Sequence, residues 1–549
     1  MIALPAAYWH TLRYLKPVQL YGRLWYRVAR PAPDLRAAPA VRLPRADAWV
    51  RPARRAPSLL GPERVVLLND VRDLTPSTWD DPSLEKLWRY NLHYFDDLNA
   101  LDAHSRKHWH IALLLRWVQE NPPGSGTAWE PYPTSLRIVN WIKWALGGND
   151  LPNEFVTSLA VQARWLTRRL ERHLLGNHLF ANAKALFFAG SFFEGKEADA
   201  WLEQAFRILR REMAEQILED GGHFERSPMY HALALEDVLD LCNIAATFAA
   251  TIRPQWHAEV EGWGRRIPSM QRWLAAMCHP DGEIAFFNDA AVGIAPAPVE
   301  LERYAERLGL AQPLQSSAIT VLRPSGYVRL ETPAAVALLD VAPVGPDYLP
   351  AHAHADTLSF ELSLFGGRVL VNSGTSCYGV SEERSRQRKT AAHNTVVVDG
   401  CDSSEVWSGF RVARRARPFG LRIAGGERME VSCSHDGYTR LPGRPVHTRA
   451  WRLTESELVI EDRVSGTYRN AQARFHLHPC AAIDVCAENA LTLRLRGDQV
   501  VRVSVEGGTI AAEASTWHSG FGRSEENRCV VVNFNGEAIR TRFEWHNGR

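Results

Sequence analysis

Four short stretches carry polar side chains that neither a helical nor a strand period explains, and chemistry is expected there. The first is Gly176-Asn177-His178-Leu179-Phe180-Ala181-Asn182. Gly176 can close one helix and leave Asn177 and His178 at the start of the next, with Asn182 four residues on and on the same face as His178. The second runs from Gly221 to His231, where a glycine turn delivers Glu225, Arg226 and Tyr230 into a helix opening near Pro228. Free tyrosine titrates near ~10, so Tyr230 needs positive charge beside it to act as a base, and Arg226 and the histidines are at hand. The third is His352-Ala353-His354-Ala355-Asp356. In a strand these ionisable residues share one face, in step with the apolar alternation from Leu358. On such a face they are costly unless paired, metal-bound or set at a wet cleft. The fourth is Ala391-Ala392-His393-Asn394-Thr395, ahead of a Val396–Val398 strand. Each stretch alone has an ordinary explanation: a helix cap, a packed tyrosine, a histidine closing a turn. Together they bring histidines from both halves of the chain, as a cleft between domains requires.

The elements that must position these residues change period along the chain. Residues 1–79 read as a short N-terminal helical segment followed by an extended linker, the Pro-, Ala- and Arg-rich stretch 31–57. From about 80 to 315 the pattern is helical. Leu159, Ala163, Leu166 and Leu170 form one stripe, and blocks near 101–121, 133–147, 153–174, 178–193, 197–218, 229–251 and 257–279 are parted by short breaks. Many consecutive antiparallel helices without a sequence repeat favour an α/α toroid. From 316 to 549 the period is two, as in Leu358, Phe360, Leu362 and Leu364 or Val501, Val503 and Val505, with Gly-Gly turns between. This half is expected to be an antiparallel β-sandwich, each strand with one face inward. The fold class is therefore multidomain α+β.

The segments GNHLFANAKALFFAG, GGHFERSPMYHALALED, HAHADTLSFELSLFGGRVLV and TAAHNTVVVDG resemble, in the same order, the signature segments of the heparinase II/III family. The resemblance runs from about 80 to 540. It implies an incomplete α/α toroid followed by antiparallel β-sandwiches, and β-elimination of uronic-acid-containing polysaccharides, with a place in exopolysaccharide or capsule metabolism. That reaction must neutralise a carboxylate, remove the adjacent C5 proton and protonate the departing O4. By resemblance Asn177 and His178 neutralise, Tyr230 is the general acid (and the base as well in syn geometry), and His352 is the alternative base or a further neutraliser. No cofactor is needed for the chemistry. The family resemblance also implies a structural divalent metal, zinc, at His354, Asn372 and His393, where Asn372 stands in place of the expected Asp and is the poorer ligand. Tyr94, Trp129, Glu130, Arg137, Arg226, Arg384 and Arg388 form the set expected to bind the acidic sugar, since arginine matches carboxylate geometry through paired donors.

Bulk properties narrow the alternatives. The chain has 549 residues, a net charge of +2, and 19 Trp beside 14 Tyr and 20 Phe. Its basic clusters, Arg51–Arg55 and Arg411–Arg417, are too short and mixed for a nucleic-acid footprint. Eight cysteines without a C-x-x-C pair read as buried thiols of a reducing compartment. The N-terminus lacks the apolar core of a secretion signal, so a cytoplasmic location is expected, with surface association of the aromatic, basic first segment as a variant. Two rival functions stay open. A glycoside hydrolase on the same scaffold would use paired carboxyls among Glu130, Glu219, Asp220, Glu225 and Asp289. A non-catalytic glycan-binding protein of surface-polysaccharide assembly would need no reacting groups.

Overall fold

The computed structural model describes residues 4–313 and 317–546, with the side chains of Leu4 and Asp498 left aside. The expected division between 315 and 316 lies outside the described residues. The last helix before the large sheets ends at Arg307, and their first strand begins at Ile319.

The helices are α1 (Leu4–Leu12), α2 (Pro17–Val28), α3 (Lys86–Leu92), α4 (Lys107–Glu120), α5 (Pro131–Leu146), α6 (Asn153–Arg168), α7 (Gly176–Phe192), α8 (Lys196–Gln216), α9 (Pro228–Thr247), α10 (His257–Ala276), α11 (Pro298–Arg307) and α12 (Glu382–Arg388). The central helix α7, apolar nearly all round, is buried along almost its whole length against α5, α6, α8 and α9. This is the expected position for a helix without a polar face. The tryptophans fill the toroid core: Trp117 meets Trp141 edge-on at 5.6 Å, and Phe206 stacks between Trp256 and Trp263. The segment before the toroid is extended as expected, but it is docked. Arg42 donates to the carbonyls of Phe192, Ser191 and Phe193, and Arg164 holds the carbonyls of Arg36 and Ala37. Residues 59–73 then form a small antiparallel sheet that the sequence reading did not anticipate.

The β half has three larger sheets, antiparallel throughout. One is a meander of five strands from Ile319 to Leu370, one has eight strands, and one has four, running from Val396–Val398 to Glu525–Phe534. A bridge between Leu370 and Leu477 ties the five- and four-stranded sheets together. Phe360, Leu362, Phe475 and Val530 meet Trp451, Ile460 and Phe543 of the eight-stranded sheet in one core. The strand Phe360–Leu364 departs from the one-face expectation, because all five residues are buried. Its polar face turns toward the toroid, where Glu361 and Ser363 bond His279 at 2.8 and 2.7 Å. Two further expectations fail locally. The helical stripe stops at Arg168 rather than 174, leaving a turn before α7. The segment His352–Asp356 is irregular, not a strand. The thiols are unpaired, yet only Cys433 and Cys529 are buried and Cys486 is exposed.

Candidate active site

The start of α7 comes closest to the β half. Leu175 and Gly176 both take positive φ, and a Cβ on Gly176 would lie 2.4 Å from Leu349 and 3.3 Å from Glu225 Oε1. Only glycine allows that approach. It leaves Asn177 and His178 half-buried on the wall of a cleft of about 1290 Å³. The Asn177 amide makes no side-chain hydrogen bond to another described residue. His178 stacks on Tyr132 at 4.5 Å and places Nδ1 3.1 Å from Glu171. Glu171, in the turn where the helix was expected to continue, is held in turn by Asn182. The Asn182 amide donates to Glu171 Oε2 at 3.1 Å, and its oxygen accepts the Glu171 N–H at 2.8 Å. Burial disfavours protonated His178, but the Glu171 charge and hydrogen bond outweigh it and raise its pKa.

Tyr230 sits in the first turn of α9. Ser227 caps that helix by accepting the Tyr230 N–H at 3.2 Å, while its own hydroxyl donates to the Asp289 carbonyl at 2.5 Å. The Tyr230 hydroxyl lies 2.9 Å from that of Tyr378, and its ring is 4.0 Å from the His352 ring. Burial first, then the neighbouring Tyr378 and Asp289, push its pKa well above 10. Tyr230 therefore carries its proton throughout the ordinary pH range.

His352 is held by a carboxylate from another segment. Its Nδ1 is 2.9 Å from Asp289 Oδ2, which fixes the proton on Nδ1 as the consistent tautomer. Its Nε2 faces the cleft, with Glu225 Oε2 at 3.7 Å and no hydrogen bond to a described residue. Asp289 also takes His354 Nε2 at 2.8 Å and both terminal nitrogens of Arg384, one of them at 2.7 Å. Desolvation would raise the Asp289 pKa; Arg384, with the two histidines, drives it well below the usual carboxylate range. Glu225 is different. Both its oxygens are buried without a hydrogen-bond partner, and burial raises its pKa despite His352 and His178 nearby.

Asn177, His178, Tyr230, His352 and Tyr94 thus line one cleft. The other residues expected to bind substrate do not. Trp129 and Arg137 are buried in the toroid core, Arg137 with its guanidinium 3.9 Å over the Trp117 ring and bonded to Gln162. Arg226 is used between domains, donating to the Ser325 carbonyl. Arg384 is committed to Asp289, and Arg388 to the carbonyls of Ala353, Ser408 and Arg411. Glu130 stands behind the wall, bonding Tyr90 and, at 2.8 Å, Lys86. The cationic lining comes instead from Arg23, Arg55, Lys86, Arg411 and Arg523, beside the acids Glu85, Asp96, Glu225 and Glu383. Of the basic cluster Arg411–Arg417, therefore, one member does reach the cleft.

The expected metal ligands lie together without making a three-donor centre. His354 Nδ1 and His393 Nε2 are 3.2 Å apart, but the Asn372 oxygen accepts the Asn394 N–H at 3.1 Å and its amide faces Ser359. Among the described residues no cluster of three or more His, Cys, Asp or Glu is arranged to hold a metal ion. The residues present do not fit the divalent metal that the resemblance implied.

Residues 94–304 match the heparinase II/III N-terminus family and residues 315–546 the family described as heparinase II/III-like, C-terminal. The chain belongs to the heparinase II/III family. Among its relatives, a heparin-sulfate lyase of Bacteroides stercoris is 27% identical over 301 residues, covering 50% of this chain and 44% of that protein. The matched stretch is thus under half the length of that relative. The FtsZ-localized protein C of Caulobacter vibrioides is 25% identical over 458 residues, covering 76% and 74%. Crystallographic heparinase III superposes with a TM-score of 0.69 at 18% identity, over 88% of this chain and 80% of that one. A mutant heparan sulfate lyase from Pedobacter heparinus gives 0.61 at 17%, over 97% and 88%. At such identities the structural likeness establishes the heparinase II/III fold, the toroid followed by the sandwich.

Proposed function

We propose that the chain is a polysaccharide lyase that cleaves a uronic-acid-containing glycan by β-elimination. The observation carrying this reading is the convergence of four groups from two domains on one cleft: the free Asn177 amide, a His178 inclined to carry charge, a proton-bearing Tyr230 and a His352 with Nε2 unoccupied. Asn177 and His178 hold the substrate carboxylate and stabilise the charge that grows on it. The His352 Nε2 lone pair takes the C5 proton, the C5–H electrons form the C4=C5 bond, and the C4–O4 bond breaks. Tyr230 then gives its hydroxyl proton to O4, Tyr378 standing as its hydrogen-bond neighbour. Arg23, Lys86, Arg411 and Arg523 suit an acidic chain, and relatives named heparin-sulfate lyases support this substrate class. Against hydrolysis stands the state of two carboxyls expected for it: Asp289 is clamped by Arg384 and two histidines, and Glu130 is bonded to Tyr90 and Lys86.

A second reading, non-catalytic glycan binding, stands beside it, since the Caulobacter relative is named for a location and its name states no reaction. Incubation of the pure protein with a panel of acidic polysaccharides separates the readings. The expected product absorbs in the ultraviolet through its new conjugated double bond and carries the mass of an unsaturated uronide. Tyr230→Phe should lower the rate by roughly 10²–10⁴-fold. Saturated products would replace the lyase by a hydrolase, binding without turnover would favour the second reading, and a fully active Tyr230→Phe would remove the acid assigned here.

A further inference from the structure

We propose that the N-terminal helix pair seats the protein on the surface of an anionic lipid bilayer, through an outward apolar stripe on α2. This helix has two faces with different duties. Val18, Gln19, Gly22 and Tyr26 point inward. Gln19 is buried and donates to the Tyr348 carbonyl at 3.1 Å, and a Cβ on Gly22 would stand 3.0 Å from that of His173. The Tyr26 ring lies 4.4 Å from the His173 ring and takes the Arg169 guanidinium over its face at 3.6 Å. The preceding helix α1 rests on the β half, where Trp407 donates to the Thr11 hydroxyl at 3.2 Å and meets the Tyr8 ring edge-on at 4.9 Å. The pair is therefore held against both domains and cannot roll its outer face inward.

The outer face is apolar. Leu20, Tyr21, Leu24, Trp25 and Val28 follow i, i+1, i+4, i+5, i+8 spacing, a stripe about 12 Å long. Leu24, Trp25 and Val28 are 66%, 70% and 69% exposed, and Trp9 of α1 is 67% exposed. Single exposed apolar residues are ordinary, but a contiguous aromatic and aliphatic stripe marks a surface that something covers. Charge identifies the occupant. Residues 1–30 contain Arg13, Lys16, Arg23, Arg27 and Arg30 and no Asp or Glu, in a chain whose net charge is only +2. Among the described residues no carboxylate pairs with Arg13, Arg23, Arg27 or Arg30, and Arg411 lies close enough to Arg23 to repel it. A second copy docked by two-fold symmetry would set these arginines against each other. Acidic headgroups satisfy them while the acyl boundary takes Leu24 and Trp25, the pattern of a helix lying in the interfacial plane. No described helix is long and apolar enough to cross a membrane, so the helix lies on the surface. The same two helices and the turn between them contribute Tyr8, Leu12, Leu15, Gln19 and Arg23 to the cleft lining, so the rim of the cleft would adjoin the bilayer.

The test is co-sedimentation of the full chain with vesicles of equal parts phosphatidylglycerol and phosphatidylcholine, beside pure phosphatidylcholine. The protein should pellet with the anionic vesicles, and high salt should release it. The double variant Leu24→Glu/Trp25→Glu, altered only on the outer face, should bind at least about tenfold more weakly. The triple variant Arg13→Gln/Arg27→Gln/Arg30→Gln should lose the preference for anionic lipid. Circular dichroism and the thermal midpoint check that both variants fold. No binding by the wild type, or equal binding by the Leu24/Trp25 variant, overturns the proposal. So does a wild-type dimer in light scattering that this variant dissociates in the absence of vesicle binding, which would assign the stripe to a second copy.

Discussion

The two walls of the cleft pair histidine with carboxylate in opposite ways. On the toroid wall His178 faces Glu171, and among the described residues no Lys or Arg is paired with that carboxylate; Asn182 supplies a neutral donor, and the histidine is drawn toward its charged form. On the β wall, Asp289 is already neutralised by Arg384. His354 bonds it at 2.8 Å yet stays neutral, burial lowering its pKa to about 4. A carboxylate therefore charges a nearby histidine only while its own charge is unspent; once an arginine holds it, it orients the ring and fixes the tautomer. The cleft needs both outcomes: a cation for the substrate carboxylate on one wall and, on the other, a His352 ring held through Nδ1 with Nε2 open.

Asp289→Asn breaks this difference most severely. It leaves Arg384, fully buried, facing an amide, and, because Asn keeps a single acceptor oxygen, takes the acceptor from one of the two histidines His352 and His354. Removing one partner of a buried ion pair costs about 3–5 kcal/mol. The urea midpoint should fall accordingly and elimination should be lost with it. A change below about 1 kcal/mol would mean that Asp289 is not the hub of the β wall.

Glu171→Gln acts on the other wall. With the charge gone, burial dominates and the His178 pKa falls. The sign is set by the direction of the native shift: a raised pKa keeps imidazolium present to higher pH, and activity declines as pH rises through that value. Its contribution to stability likewise is complete below the unfolded value of about 6.5 and is lost as pH rises through the folded one. In the variant the alkaline limb of kcat/KM should move toward acid, with an activity loss on the order of tenfold to hundredfold near neutral pH. An unmoved limb would detach His178 charge from the reaction.

Neither hub was legible in the sequence as a hub. Period and turn residues gave the helical half, the β half and the four polar stretches, because those depend on neighbours a few residues apart. Glu171 fell inside an apparent helical stripe, and Asp289 stood out only as one of several acids. Their roles come from contacts across 7 and 63 residues of chain, which no local pattern encodes. The arginines and Trp129 misled for the converse reason. Trp129, Glu130 and Arg137 suit a sugar cleft by composition, but a toroid this rich in tryptophan needs rings for its core, and Arg137 stacks there. The parity argument for His352, His354 and Asp356 assumed a strand. In an irregular segment His352 and His354 still reach one carboxylate, while Asp356 turns to accept the Asn288 N–H at 3.0 Å.

The smallest effect concerns the pair behind the β wall. His354 and His393 approach to 3.2 Å, a separation suited either to one shared hydrogen bond or to two ligands of a common ion, and the third position decides. Asn372 offers a neutral oxygen that already accepts the Asn394 N–H, while its own N–H is held by Glu361 Oε1 at 2.7 Å. The amide thus closes a hydrogen-bond network where a carboxylate would complete a metal site. Treatment with a chelator should leave both the thermal midpoint and the elimination rate of the wild type unchanged. Asn372→Asp keeps an acceptor for Asn394 and adds the missing charge, so its midpoint, and not that of the wild type, should rise by a few degrees with added zinc. Stoichiometric zinc in the purified wild type, with loss of stability on chelation, would show that the amide is ligand enough and that the β wall is built around an ion.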